Sequence, residues 1–228
     1  MHTQLLDLIG HLDSGAATIP ASRRAALQSA AKQGGKIALG LLAPLAAGGC
    51  ALVGKAIAPD TTLARQVLEF AILLEELEHD FYVQALNAPG LIPARDRVVF
   101  EQISKHEGAH VTFLNTGLTG IGGALQTAPQ FDFNAGGHHG VFSNYEAFLS
   151  LAQTFEDTGV AAYKGQAANL LTSSSLLTAA LRIHSVEARH AAEIRRLRGQ
   201  KPWTGAFDEP LSKEQVLARV SPFIRQGA

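Results

Sequence analysis

The amino-acid sequence predicts an all-α protein, an antiparallel four-helix bundle with one long crossover between helices 2 and 3. Three observations carry this reading. Apolar residues recur at helical spacing in four stretches between Asp60 and Gly199. A glycine-rich segment without helical period, 118–142, separates those four stretches into two pairs. Each pair also writes the same phrase: Glu75, Tyr82, Glu107 and His110 in the first, Glu156, Tyr163, Glu187 and His190 in the second. The copies are offset by 81 residues for Glu and Tyr and by 80 for the Glu-x-x-His pair.

Taken in order, residues 1–58 stand apart from the rest of the chain. Arg23-Arg24 precedes a mildly basic stretch with Lys32 and Lys36, then an uncharged run from Ile37 to Gly54. This resembles a twin-arginine export signal, which implies a periplasmic or otherwise exported protein, with an inner-membrane anchor as the alternative. The run reaches the minimum length of a membrane span, but its glycines and Pro44 weaken it. Ala56-Ile57-Ala58 has a small-x-small cleavage form, and Ala47-Gly48-Gly49-Cys50 has the outline of a lipoprotein site with Cys50 as the acceptor. A buried free thiol is the structural alternative for Cys50.

The bundle is expected over 59–199. Asp60 caps a first helix to about Asn87, and Pro93 opens a second that ends near Gly117. The short Asn87-Ala88-Pro89-Gly90 break makes these two antiparallel neighbours. After the crossover, Ser143-x-x-Glu146 has the form of a capping box for a third helix to about Leu171. Thr172 to Ser175 caps a fourth that ends near Arg198-Gly199. The tail, 200–228, is expected to pack back on the bundle and then fray.

Composition narrows the chemistry. With 228 residues and 46% apolar content the chain can bury a sizeable core. A net charge of -1, from 19 basic and 20 acidic residues, gives no field that would attract nucleic acid or a membrane surface. Membrane contact is expected only through the N-terminal segment. Cys50 is the single cysteine, which excludes thiolate zinc and iron–sulfur sites. Any metal chemistry must use carboxylates and imidazoles.

The repeated phrase supplies them on the wrong face for ordinary surface residues. Glu75 interrupts the apolar stripe Ala64, Leu68, Ala71, Tyr82 and Leu86. Glu107 does so among Phe100, Ile103, Val111 and Leu114, with His110 beside it. Glu156 is the one charge in Phe148, Ala152, Val160, Tyr163, Ala167 and Leu170, and Glu187 and His190 lie among Leu176, Ala180, Ile183 and Ile194. A buried ionised carboxylate costs several kcal/mol unless paired or metal-bound. Two divalent ions neutralise four carboxylates and leave both histidines neutral as ligands. Such a site takes one Glu from each of two helices and a Glu-x-x-His from each of the others. The competing reading pairs the carboxylates with one another or with Arg97, Arg182 and Arg189. Glu78, one turn from Glu75, has Gly159 in its place in the second copy and is a substitute or outer ligand. Tyr82 and Tyr163 are positioned to hydrogen-bond carboxylates across the bundle or to serve as core. His79 and His106 fall at the edges of the stripes and read as rim residues.

These residues resemble the ferritin-like proteins of the desiccation-related family. The resemblance runs from about Thr62 to Leu197. It rests on Leu74-Glu75-x-Leu77-Glu78-x-x-Phe81-Tyr82, Glu107-x-x-His110, Phe155-Glu156-Asp157-Thr158-Gly159-Val160-Ala161-Ala162-Tyr163-Lys164-Gly165 and Glu187-Ala188-Arg189-His190. It implies a ferritin-like fold and export, and similarity to the wider ferritin and rubrerythrin superfamily implies that Glu75, Glu107, His110, Glu156, Glu187 and His190 bind two iron ions. Manganese is the alternative metal. Met1 is the only methionine, so no haem of the bacterioferritin kind is expected, and one cysteine excludes a rubredoxin module. The expected function is Fe(II) oxidation, or reduction of oxygen or peroxide, in stress protection, with no catalytic residues beyond the metal ligands. The alternative is a non-catalytic stress-protection protein in which bundle or metal is structural and His138 and His139 of the crossover serve as an accessory metal or partner site. Homo-oligomerisation is compatible with either.

Overall fold

The computed structural model describes residues 61–225. The export segment, its cleavage site and Cys50 lie outside the described residues. No helix among the described residues is long and apolar enough to cross a membrane.

Four long helices form the bundle: α1 (Thr61–Asn87), α2 (Ala94–Gly120), α3 (Tyr145–Gln166) and α4 (Ser174–Leu197). A 3₁₀ turn, Ala167–Leu170, follows α3. α1 packs on α2 and α3 on α4 as two hairpins, which meet through α1 against α3 and α2 against α4. This is the predicted all-α arrangement, with the long connection between α2 and α3.

The boundaries shift where tertiary packing or local chemistry overrides the pattern. α2 continues through Gly117 to Gly120 because Leu118 is fully buried in the apolar cluster at that end of the bundle. The expected Ser143 capping box does not form. Asn144 is the cap, accepting a hydrogen bond from the Ala147 N–H at 2.9 Å, while the Ser143 hydroxyl donates to the Gly140 carbonyl. α4 ends as its sequence suggests. Gly199, at φ +68°, lets its N–H reach Arg196 O and lets that of Gln200 reach Arg195 O, the paired bonds of a Schellman closure.

The tail is more ordered than its composition predicts. Ser212 and Gln215 form a reciprocal capping box that starts α5 (Lys213–Val220), followed by a second 3₁₀ turn, Ser221–Phe223. Val216, Val220 and Phe223 are buried in the main core cluster. Expected fraying is not seen up to Arg225: Asp132 N–H donates to Phe223 O at 2.8 Å and Arg225 N–H to Gln130 O at 2.9 Å, which ties the tail to the crossover. The crossing over α3 requires Gly165, since a Cβ there would lie 1.9 Å from Leu211 O.

Two apolar clusters fill the interior. One gathers Phe81, Phe100, Phe148, Phe155 and Phe133 where α1 ends and α2 begins. The other gathers Leu68, Leu114, Leu118, Leu170 and Ile183 toward the opposite ends of those helices. The buried polar residues Glu75, Glu107, His110, Glu156, Glu187 and His190 come from the middle turns of the four helices.

Candidate metal centre

Each helix contributes to this polar group from a face that is otherwise apolar, so side-chain direction is fixed by packing on both sides. Glu75, Glu107, Glu156 and Glu187 are completely buried, His190 is 5% exposed and His110 9%. Around His110 Nδ1 lie Glu75 Oε2 at 3.0 Å, Glu107 Oε2 at 3.1 Å and Glu187 Oε1 at 3.2 Å. Around His190 Nδ1 lie Glu107 Oε1 at 2.8 Å, Glu156 Oε2 at 3.4 Å and Glu187 Oε2 at 3.9 Å. Two convergent sets result, Glu75, Glu107, His110 and Glu187, and Glu107, Glu156, Glu187 and His190. Each set offers ligand atoms within 4.8 Å of one another, and Glu107 and Glu187 belong to both.

Hydrogen bonds within the protein do not satisfy this cluster. Among the described residues six buried side-chain atoms lack a hydrogen-bond partner, and five are here: Glu107 Oε1, Glu156 Oε2, both Glu187 oxygens and His190 Nδ1. Short N···O separations without hydrogen-bond alignment, as between His190 Nδ1 and Glu107 Oε1 at 2.8 Å, mean that these nitrogen and oxygen atoms converge on shared space. Unsatisfied buried groups normally number a few per hundred residues and are scattered, so this concentration fits donors arranged for cations.

The electrostatics agree. Burial pulls the His110 pKa down, but Glu107, Glu187 and Glu75 outweigh it and push it up to about 12. Burial acts likewise on His190, and Glu156 and Glu107 hold it up at about 11. Glu107 is raised by burial and lowered further by its hydrogen bond to His110 and its ion pair with His190, to about 2, so it is their counter-ion. Glu75 is pushed up to about 7 by burial, and burial with repulsion from Glu107 and Glu75 raises Glu187 well above the carboxylate range. Protons are therefore standing in for positive charge.

The tyrosines complete a reciprocal pair. Tyr82 of α1 donates to Glu156 Oε1 of α3 at 2.5 Å, and Tyr163 of α3 donates to Glu75 Oε1 of α1. Each fixes one carboxylate oxygen and leaves the other facing the shared space, the usual task of an outer hydrogen bond at a metal site. The arginine alternative fails on geometry. Arg97 bonds Glu101 and Leu86 O, Arg182 lies over the Phe113 ring, and Arg189 is exposed.

Glu78 lies beside the cluster but in neither convergent set. It is buried, and burial, with repulsion from Glu187, Glu156, Glu107 and Glu75, raises its pKa well above the usual range. Gly159 makes its room: a Cβ there would sit 3.1 Å from Glu78 Oε1 and 3.4 Å from Glu187 Oε2. Gly159→Ala should therefore leave stability within about 1 kcal/mol, because helix propensity gains what crowding costs. Its metal affinity should fall several-fold as Glu187 is displaced. Parallel Co(II) titration and thermal melts check this, and unchanged affinity would sink it.

The two histidines read as rim residues are half-buried and lie outside both convergent sets, and each meets a partner across a helix seam. His79 Nδ1 lies 3.1 Å from Ser104 O in the α1–α2 seam. His106, half-buried, sits directly behind His190, with Nδ1 2.9 Å from His190 Nε2. The available signal was its place one turn before His110, on the side of α2 that meets α4. His138 packs against Phe223, and His139 is exposed.

A four-helix bundle with a buried Glu/His cluster from all four helices defines a class, the helical bundles whose core is built from side chains able to hold metal. The model of the ferritin-like domain matches residues 64–200, most of the chain, and the chain belongs to that ferritin-like family. No curated protein matches it.

Proposed function

We propose that this is an exported ferritin-like protein that binds two divalent ions, iron as the first assignment and manganese as the alternative, and that reacts with oxygen or peroxide in stress protection. One observation carries the dinuclear reading: Glu107 and Glu187 belong to both convergent sets, so two ions would share them. Glu75 and His110 would complete one position and Glu156 and His190 the other. Paired Fe(II) held by these residues would supply one electron per ion to oxygen or peroxide, the iron being oxidised to Fe(III) as the oxidant is reduced. The chain's own residues set the frame. Tyr82 and Tyr163 orient the terminal carboxylates, the two apolar clusters restrict water, and His110 and His190 give up protons when their nitrogens become ligands. Support for export and for the desiccation-related subfamily is the Arg23-Arg24 segment and the Phe155–Gly165 phrase.

The test is oxygen uptake on adding Fe(II) to chelator-stripped protein. Rapid uptake with about two metals bound per chain supports the oxidase. Uptake at the buffer rate with two metals bound supports the non-catalytic reading, in which metal staples the bundle; the full burial of all four carboxylates is the observation in its favour. Binding of less than one metal per chain overturns both metal readings.

Acid should oppose loading. In the metal-free protein His110 and His190 keep protons up to about 12 and 11, so at neutral pH binding must expel them. Affinity then rises with pH, by roughly tenfold per unit for each proton released. Calorimetric titration at pH 6 and pH 7.5, in buffers of different ionisation enthalpy, counts those protons. An affinity that does not change across this range would contradict the protonated resting site.

A further inference from the structure

The repeat makes the two metal positions look equivalent, and one contact breaks that equivalence. His190 presents Nδ1 to the carboxylates and Nε2 to His106 Nδ1 at 2.9 Å, with the two rings nearly parallel, 13° apart at 5.2 Å between centroids. His106 Nε2 in turn lies 2.7 Å from the Gln102 side-chain amide, whose oxygen and nitrogen are interchangeable by a flip. With His190 Nδ1 as ligand its one proton is on Nε2, and His106 Nδ1 accepts it; the His106 Nε2 proton then goes to the Gln102 oxygen. The chain of bonds has one consistent direction and fixes both tautomer and ring orientation of His190.

Among the described residues the other half has no such device. His106 immediately precedes Glu107, and the residue immediately preceding Glu187 is Val186, which carries neither donor nor acceptor. The hydrogen bonds of the His110 imidazole run through Nδ1, toward the carboxylates. An imidazole ligand whose second nitrogen is held binds metal more tightly than one left to turn.

We propose that His106 is a positioning residue for His190 and that it makes the two metal positions unequal, the His190–Glu156 position holding its ion more tightly than the His110–Glu75 position. This rests on the dinuclear reading of the site. The test titrates Co(II) into the chelator-stripped full chain. Wild-type protein should bind in two separable steps, and His106→Ala should weaken one of them on the order of 10- to 100-fold while the other stays within about twofold. His106→Phe keeps an aromatic ring in the seam and removes the acceptor, so it should behave as His106→Ala does. His106→Asn keeps an acceptor and should recover part of the loss. Combined with His110→Ala the His106 effect should persist, and combined with His190→Ala it should vanish.

A metal-independent measurement separates this inference from the dinuclear reading. In the ¹⁵N-labelled metal-free protein the His190 Nε2–H resonance should shift in His106→Ala and in His106→Phe. If wild-type protein takes up fewer than two ions, the dinuclear reading fails and this resonance decides the role of His106. A His190 resonance unmoved in both variants overturns the inference. So does equal weakening of both Co(II) steps, or no change in either.

Discussion

Glu187→Gln is expected to stabilise the metal-free protein at neutral pH and to abolish most of the stabilisation that metal confers. Glu187 is fully buried, neither oxygen has a hydrogen-bond partner, and burial with repulsion from Glu107 and Glu75 raises its pKa well above the ordinary value. A carboxyl whose folded pKa is raised costs nothing below its unfolded pKa and costs progressively more as pH climbs toward the folded value. Glutamine has the same shape and no such cost. The gain should be present at pH 7 as a rise in melting temperature and should disappear near pH 4. With metal the sign reverses, because a ligand common to both convergent sets is lost. Two ions at a hundred times their dissociation constants stabilise wild-type protein by about 5 kcal/mol, and the variant should keep less than half of that. Melting curves with and without Co(II) at pH 4.5 and pH 7 report both signs. An undiminished metal-induced shift in the variant would remove Glu187 from the ligand set.

The second large effect is structural. Phe81 is completely buried, with its ring 5.1–5.7 Å from those of Tyr82, Phe133, Phe142, Phe148 and Phe155. It therefore joins α1 to α3 and clamps the crossover against both. Phe81→Ala removes the shared partner of five rings and should cost about 3–5 kcal/mol, a fall of about 10 °C or more. The loss should reach the metal centre as well, because Phe81 packs on Tyr82, whose hydroxyl fixes Glu156. Urea unfolding measures the first effect and Co(II) affinity of the folded variant the second. A loss below about 1.5 kcal/mol would mean that the aromatic cluster closes around the gap.

The Phe155–Gly165 phrase shows how sequence and structure divide the explanation. As a string it is a distinctive run with one acid in an apolar stripe. In the fold, Glu156 enters the polar cluster, Asp157 pairs with Arg195 of α4, and Gly159 makes room for Glu78. Tyr163 holds Glu75, Lys164 binds Asp208 of the tail, and Gly165 lets the tail cross. A glycine required by a neighbour 46 positions away, from Gly165 to Leu211, leaves no local trace. The cap of α3 falls one residue from its expected place for a related reason: Ser143 and Asn144 are both competent caps, and the Ser143 hydroxyl is drawn back to Gly140 by the turn before it.

What the sequence determined by itself is whatever helical periodicity transmits. A residue's face on a helix follows from its register at 3.6 residues per turn, so the stripes located the four helices and the acids interrupting them, and the 81- and 80-residue offsets paired the halves. Fold class and the six residues that converge in the core were legible for that reason. Tertiary structure alone decided which atoms meet across helices: Tyr82 with Glu156, 74 positions apart, Tyr163 with Glu75, 88 apart, and His106 with His190, 84 apart. Such contacts depend on the rotation and depth at which one helix packs on another. Those are fixed by the whole core at once, which is why a near-symmetric phrase folds into a site whose two halves are unequal.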